Sequence, residues 1–379
     1  MSLTRRTTLF GLGAVALTAC ASATAPTRST SGGLPADLRP APNAAYDAWV
    51  ASFRTRAATQ GISQSTLTAA FRGTGYLPGV VRRDRNQTEF IRTLEDYLSI
   101  AASDERVSKG RAAFARHRST LNAVEARYGV PANIVTAIWG LESFYGERRG
   151  DVPVISATST LAFDGRRGAF FEKQLIEALR ILQSGDVTPA NLTGSWAGAM
   201  GHTQFIPTSY QAFAVDFTGD GKRDIWSDDP SDSLASTAAY LSRNGWQTGQ
   251  GWGREVTGSA AGTVIQPQPG GPRFQVTRNF RVIKTYNNSD SYAIGVGHLA
   301  DRIAGGGPLQ GTFPPDQYGL TKDDRIDLQR RLTQRGFDTG GVDGVLGTKS
   351  QAAIAAYQTS RGLPATGTPS LDLLRSLGG

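Results

Sequence analysis

Pro131-Ala-Asn-Ile-Val-Thr-Ala-Ile-Trp-Gly-Leu-Glu142-Ser-Phe-Tyr-Gly146 is an apolar run interrupted by a single carboxylate, and nothing acidic lies between Glu125 and Glu142. Pro131 suits a helix start and Gly146 a stop. Ile134, Ile138, Glu142 and Tyr145 then fall on one stripe of the helical period, so the carboxylate points where a core should be. An unpaired carboxylate there loses hydration, which favours its neutral form and raises its pKa, as a general acid working near neutral pH requires. The alternative is a Glu that snorkels to the surface or bonds a buried polar group.

Helical spacing continues outward from this run. Tyr46, Trp49, Val50 and Phe53 repeat at that spacing, as do Phe90, Ile91, Leu94, Tyr97 and Leu98, and then Phe114, His117, Leu121, Val124 and Tyr128. Glycine and proline punctuate residues 245–275, where Val264-Ile265-Gln266 and Phe274-Gln-Val276 read as short strands. The expected fold class is mainly α (α+β), with a small strand-containing subregion. A Gly/Pro-rich break from Gly305-Gly-Gly-Pro308 to Pro314-Pro315 precedes a separate tail.

The 379 residues carry 19% charged and 39% hydrophobic side chains, an ordinary globular composition with room for a large core and a second unit. The formal charge of +8 suits an anionic partner such as nucleic acid, acidic lipid or a carboxylate-bearing wall polymer, and does not choose among them. At the N-terminus, Met1-Ser-Leu-Thr-Arg5-Arg6 precedes the apolar Leu9-Phe-Gly-Leu-Gly-Ala-Val-Ala-Leu17. That run is shorter than the roughly 20 residues of a membrane span and ends in small residues, so it reads as a cleaved secretion signal. Leu17-Thr-Ala-Cys20 resembles a bacterial lipobox, which makes Cys20 the acylated first residue of the mature chain; Ala21 argues against inner-membrane retention. Thr4-Arg5-Arg6 is similar to a twin-arginine signal, leaving the Tat and Sec routes both open. Cys20 is the only cysteine, so no internal disulfide forms. The expected layout is a signal over 1–19, a tether rich in small and polar residues over 20–42, a large domain over 43–308, a linker over 309–320 and a small domain over 321–379.

In that tail, Ile326-Asp-Leu328-Gln329-Arg-Arg-Leu332 and Ala352-Ala353-Ile354-Ala355-Ala356-Tyr357-Gln358 predict two amphipathic helices around the tight loop Gly341-Val-Asp343-Gly344-Val-Leu-Gly347-Thr348. With a third short helix, this resembles the peptidoglycan-binding domain-1 repeat along nearly its whole length. No acid pair or metal cluster accompanies it, so it reads as a binder, with a dimerisation module as the alternative.

The richest stretch is Ser195-Trp-Ala-Gly198-Ala-Met200-Gly201-His202-Thr-Gln204-Phe205-Ile-Pro207-Thr-Ser-Tyr210. Small residues at 197–201 let backbone approach a ligand, and Ser195, Gln204 and Tyr210 supply hydroxyl and amide groups suited to sugar hydroxyls or an acetamido group. Trp139, Phe144, Tyr145, Trp196 and Phe205 are rings that either stack on pyranose faces or fill the core. His202 is expected to act as a spacer or to make a polar contact, since three scattered histidines offer no metal cluster.

These motifs, together with Ala214-Val-Asp216-Phe-Thr-Gly-Asp220-Gly221, Tyr240-Leu-Ser-Arg-Asn-Gly-Trp246 and Tyr286-Asn287-Asn-Ser-Asp-Ser-Tyr292-Ala, resemble the membrane-bound lytic murein transglycosylase B family over about residues 45–305. The resemblance implies a lysozyme-like catalytic domain, with Glu142 as the single acid/base. It also implies substrate-binding roles for Ser195, Gln204, Tyr240, Asn287 and Tyr292, with Tyr286, Arg166 and Arg167 nearby. Most glycosidases divide the work between two carboxylates. Asp151, Asp164, Glu172 and Glu177 read as loop or charged-helix residues instead, and the resemblance assigns the second function to the substrate's own N-acetyl group. No cofactor is then required for the chemistry. Expected partners are peptidoglycan glycan strands, the outer membrane through the lipid anchor, and in addition cell-wall synthesis or division proteins; nucleic acid is not one, and the chain is expected to be a periplasmic monomer. A lysozyme-type hydrolase and a non-catalytic wall-binding lipoprotein remain the alternatives.

Asp216-Phe-Thr218-Gly-Asp220-Gly221-Lys222-Arg-Asp224-Ile-Trp-Ser227 matches positions 1, 3, 5 and 6 of the EF-hand template, with Thr at 3 and Ser227 where a bidentate Glu belongs. Asp216, Thr218, Asp220 and the Lys222 carbonyl are candidate ligands for Ca2+ or Na+, and the family suggests Asp232 to close the shell. Lys222 and Arg223 predict weak affinity and a structural role. A plain Asp/Gly turn is the alternative.

Overall fold

Glu142 projects from a helix that is buried nearly all the way round by a handful of neighbouring helices. The computed structural model describes residues 33–86 and 93–378. The signal segment, Cys20, Phe90 and Ile91 lie outside the described residues. Among those described, the first half of the large domain is formed by α1 (Ala44–Thr59), α2 (Gln64–Ala70), α3 (Pro78–Arg85), α4 (Leu94–Ala101), α5 (Asp104–Arg116), α6 (Arg118–Tyr128) and α7 (Ala132–Ser143). Then follow α8 (Val154–Asp164), α9 (Gly168–Ser184), α10 (Pro207–Phe213), α11 (Ser231–Arg243), α12 (Arg278–Tyr286) and α13 (Asp290–Ile303). Strands β1 (Val152–Pro153) and β2 (Thr193–Gly194) pair antiparallel, and β3 (Gly253–Val256), β4 (Thr263–Ile265) and β5 (Arg273–Val276) form an antiparallel sheet in the order β3-β5-β4. The architecture is mainly helical with a small sheet, as the periodicity predicts.

In α7 only Asn133 and Glu142 escape full burial. A helix apolar on every face belongs inside a core, and α5, α6, α11 and α13 surround this one. Short polar caps fix the starts of the helices that supply its neighbours: Ser103 accepts the Arg106 N–H at α5, and Ser289 accepts the Tyr292 N–H at α13.

Two boundaries differ from the sequence reading. The run from Phe114 to Tyr128 is not one helix: it breaks at His117, whose φ of −104° and ψ of 21° close α5 and open α6. Helix α7 stops at Ser143, three residues before Gly146, because Phe144 adopts a left-handed φ of 54° and caps it. Tyr145 therefore leaves the stripe on which it was placed.

The tail folds as α14 (Lys322–Gln334), α15 (Thr348–Ser360) and α16 (Leu371–Ser376) around its own core of Leu328, Leu332, Ile354, Tyr357, Leu373 and Leu377. The start of the segment 309–320 makes contacts with the large domain. Glu255 accepts the N–H groups of Gln310 and Gly311 at 2.8 and 2.7 Å, and Leu309 and Phe313 pack against the main core. Arg325 of α14, 4% exposed, then reaches across to Glu95 (2.6 Å) and Asp96 (3.0 Å) of α4 and to Asp316 (3.5 Å).

Candidate active site

The last turn of α7 meets the α12–α13 corner. Tyr292, 3% exposed, donates a 2.7 Å hydrogen bond to Glu142 Oε1. Burial pushes the Glu142 carboxyl up to about 7, against the opposing pull of the Tyr292 bond and the Arg106 guanidinium. Glu142 itself keeps partial exposure, so a ligand can reach it. Tyr286 lies close enough for the Glu142 charge to help raise its phenol well above the usual range, burial being the larger cause. Its hydroxyl donates to the Thr203 carbonyl at 2.6 Å. Tyr240 stands 4.9 Å from the Tyr286 ring, with its hydroxyl on the Thr285 carbonyl, and Asn287 caps α12 beside them.

Backbone strain concentrates here. Among the described residues Phe144, Tyr145 and Gln204 are the non-glycine residues with left-handed φ, a conformation that costs on the order of 1–3 kcal/mol each and persists where surrounding structure imposes it. The turn at Phe144–Tyr145 folds the Tyr145 ring back over Gly140, where a Cβ would stand 2.5 Å from its Cζ. Gln204 donates from Nε2 to the carbonyls of Arg149 and Gly201. That leaves its own carbonyl oxygen as the group able to accept from a ligand N–H or hydroxyl. Ser195 Oγ accepts the N–H groups of Ala197 and Ala199, which shapes the small-residue loop, and its hydroxyl proton stays available.

Other predicted residues have partners of their own. Arg166 and Arg167 both engage the buried Asp84, tying the α8–α9 turn to α3. Tyr210 is fully buried and donates to the Arg223 carbonyl, so it does not face a ligand. Trp139, Phe144 and Phe205 are buried, whereas Trp196 and Tyr145 keep partial exposure. His202 makes the expected polar contact: Nδ1 accepts from Trp139 Nε1 at 3.1 Å and Nε2 lies 2.7 Å from the Ser227 carbonyl. A cavity of about 530 Å³ beside this strut is lined by Trp139, Tyr145, Arg149 and His202 among others, and Glu142 is not part of its wall. The other acids considered have their own positions: Asp164 pairs with Arg85, Glu172 with Arg56, Glu177 with Arg180, and Asp151 is exposed.

The Asp216 loop is laced by its own carboxylates. Asp216 accepts the N–H groups of Gly219 and Gly221, Asp220 that of Lys222, and the buried Asp232 those of Phe217, Thr218 and Asp224. Burial raises the Asp232 carboxyl, and the Asp216 charge adds to the effect. Two carboxylates facing one turn of hard oxygen donors suit a cation. Among the described residues no three acids or histidines converge, however, so a cation would also need the Thr218 hydroxyl and the Lys222 carbonyl.

Arg106 escaped the sequence reading. It is 6% exposed, bonds the Gly140 carbonyl at 3.2 Å and acts on Glu142. The signal was present: Arg106, Val107, Gly110 and Ala113 form the buried face of α5, a charge on an apolar stripe like that of Glu142.

A mainly helical domain organised around one half-buried acid defines a class. Residues 45–266 and 258–301 match the family model of the transglycosylase SLT domain, and the chain belongs to that family. Residues 321–377 match the model of a peptidoglycan binding domain. The chain is 31% identical over 234 residues to membrane-bound lytic murein transglycosylase B of Escherichia coli (strain K12), a match spanning 53% of this chain and 64% of that protein's length. Its structure resembles SltB3 of Pseudomonas aeruginosa, solved in complex with NAG-NAM-pentapeptide, with a TM-score of 0.70 and 43% identity over 89% of this chain and 100% of that one. It also resembles the Escherichia coli lytic transglycosylase SLT35, solved in complex with calcium, with a TM-score of 0.59 and 27% identity over 69% and 93% of the two chains.

Proposed function

We propose that this protein is a lytic transglycosylase that cleaves the β-1,4 bond between N-acetylmuramic acid and N-acetylglucosamine in peptidoglycan. The observation that carries the reading is Glu142 itself: one carboxyl pushed up to about 7 by burial, bonded to Tyr292, with the nearby acids paired or placed elsewhere. An acid poised there holds its proton near neutral pH and is able to release it. Protonated Glu142 gives its proton to the departing glycosidic oxygen as the bond to C1 breaks. The substrate's acetamido oxygen closes on C1 as an oxazolinium-like species, which supplies the work a second carboxylate does in other glycosidases. Glu142, now a carboxylate, takes the proton of the C6 hydroxyl as O6 displaces the acetamido oxygen, forming a 1,6-anhydro ring. The acid is regenerated and no water is consumed.

Tyr292 steadies the carboxylate between the two steps. The Gln204 carbonyl and the Ser195 hydroxyl are assigned to orient the acetamido group or sugar hydroxyls, and Asn287, Tyr240 and Tyr286 to bind the substrate alongside them. Arg166 and Arg167, both also paired with Asp84, are assigned to substrate binding beside them. No step runs through a metal. The Asp216 loop is proposed as a weak, structural Ca2+ or Na+ turn held by Asp216, Thr218, Asp220, Lys222 and Asp232.

The same reading extends to the whole chain: a catalytic unit over 43–308, a connecting segment over 309–320 and a peptidoglycan binder over 321–379, exported and anchored in the outer membrane from the periplasmic side through a lipid on Cys20. The Glu142→Gln protein is expected to bind purified sacculi like the wild type and to release no muropeptides. Release at a wild-type rate would remove Glu142 from its role.

A further inference from the structure

The Glu142-bearing turn is gripped from one side by a single buried cation. The Arg106 guanidinium donates to the Gly140 carbonyl at 3.2 Å and lies over the Phe144 ring at 5.1 Å from its centroid, while the Arg106 carbonyl receives the Tyr145 hydroxyl at 2.7 Å. It thus touches residues on both sides of Glu142, including Phe144 and Tyr145, two of the three left-handed non-glycine residues described. It also sits at the C-terminal end of α7, where unsatisfied carbonyls make a cation favourable.

The charged and titratable groups around Glu142 are few. Tyr292 of α13 donates to it, and Tyr286 of α12 faces it. On α11, Tyr240 is turned to the Thr285 carbonyl. On α5, the next cation, Lys109, is held 2.8 Å from Glu147 and lies 4.5 Å from the Phe144 ring centroid, as does Arg148 just past the turn. On α6, Glu125 bonds the Ala132 N–H at the opposite end of α7. Arg106 is the cation whose field lowers the Glu142 carboxyl against burial.

We propose that Arg106 is a positioning residue for the reaction: it clamps the turn that aims Glu142 and places its charge to hold the carboxylate form between release of the first proton and capture of the second. This rests on the reading of Glu142 as the single acid/base. A solely structural Arg106 would affect stability and rate together without moving the protonation of Glu142. The proposed role separates the two effects, because charge and clamp can be removed independently.

The test is the pH dependence of kcat/KM on a soluble glycan for Arg106→Gln, which keeps a donor for Gly140 but not the charge, and for Arg106→Met, which keeps neither, with Arg106→Lys as the charge-conserving control. The limb on which activity falls as Glu142 loses its proton should move up by about one pH unit in the Gln and Met proteins and stay in place in the Lys protein. In the Gln protein kcat should fall about tenfold with KM nearly unchanged. Carbon-13 titration of Glu142 in whichever charge-removed variant is folded reads the same shift without catalysis. A limb and a titration that stay at the wild-type position in a folded Gln or Met protein would overturn the proposal, as would an equal displacement in the Lys protein. Cleavage persisting in Glu142→Gln would overturn the underlying reading instead, and the carbon-13 titration would still decide the role of Arg106.

Discussion

Glu142 is useful because the fold gives it two contradictory surroundings. Burial favours its neutral form, while Tyr292 and Arg106 favour the charged one, and the balance falls at about 7. The sign of this shift has a consequence for stability. With the folded carboxyl above its ordinary value of 4.5, the preference for the neutral acid contributes fully below that value and fades as pH rises through about 7. Glu142→Gln does not titrate, so it should gain on the wild type between those limits and be more stable at pH 8 by on the order of 1–3 kcal/mol, read by chemical denaturation at pH 4 and pH 8. Equal stabilities at both pH values would contradict the desolvated carboxyl. Tyr292→Phe removes a bond that lowers the carboxyl, so its activity limb should rise in pH and kcat/KM should fall about tenfold; an unmoved limb would count against that bond. Glu142 was legible as a lone acid in an apolar run. Arg106 carried the same mark, but in a helix crowded with Asp104, Glu105 and Lys109 one more charge does not stand out. Tyr292 entered only through resemblance, because nothing local to residue 292 tells that its hydroxyl meets a carboxylate 150 positions away.

Short elements carry most of the difference between expectation and structure. The helices around α7 were legible because their apolar faces repeat over several turns, and the strands β4 and β5 because they sit between glycines and prolines. The break at His117 was not: the apolar spacing runs through it, and the backbone at that one residue separates two helices that each pack on α7. The end of α7 was placed at Gly146, the residue best suited to a left-handed cap, yet Phe144 and Tyr145 adopt that conformation themselves. The Asp216 loop was legible as a turn with cation chemistry, and the structure adds that Asp232 accepts three backbone N–H groups. Asp232→Ala would strip all three donors of their acceptor and is expected to destabilise the protein by about 2–4 kcal/mol. Calcium at ten times its dissociation constant should stabilise the wild type by about 1.4 kcal/mol and leave Asp216→Ala unchanged, measured as the melting temperature with calcium and with chelator. A shift of equal size in both proteins would exclude the loop as the binding site.

At the scale of the whole molecule, the catalytic and wall-binding units share an ion cluster. Arg325 is almost wholly enclosed and faces Glu95, Asp96 and Asp316. Glycine and proline around 305–315 read as a linker because composition reports backbone freedom, not the Glu255 carboxylate that receives two of its N–H groups. Removing one partner of a buried ion cluster leaves the others uncompensated. Arg325→Met should therefore cost about 3–5 kcal/mol and open residues 309–320 to limited proteolysis, while the isolated glycan reaction at Glu142 continues. Protection of that segment in the variant would show that the cluster does not hold the two units together. The central claim concerns the reaction itself and is tested most directly by digesting purified peptidoglycan with the protein in heavy-oxygen water and weighing the muropeptides. Lytic transglycosylation yields anhydromuramoyl ends, each lighter by one water than a hydrolytic product and free of the label; reducing ends carrying one heavy oxygen would contradict that reaction.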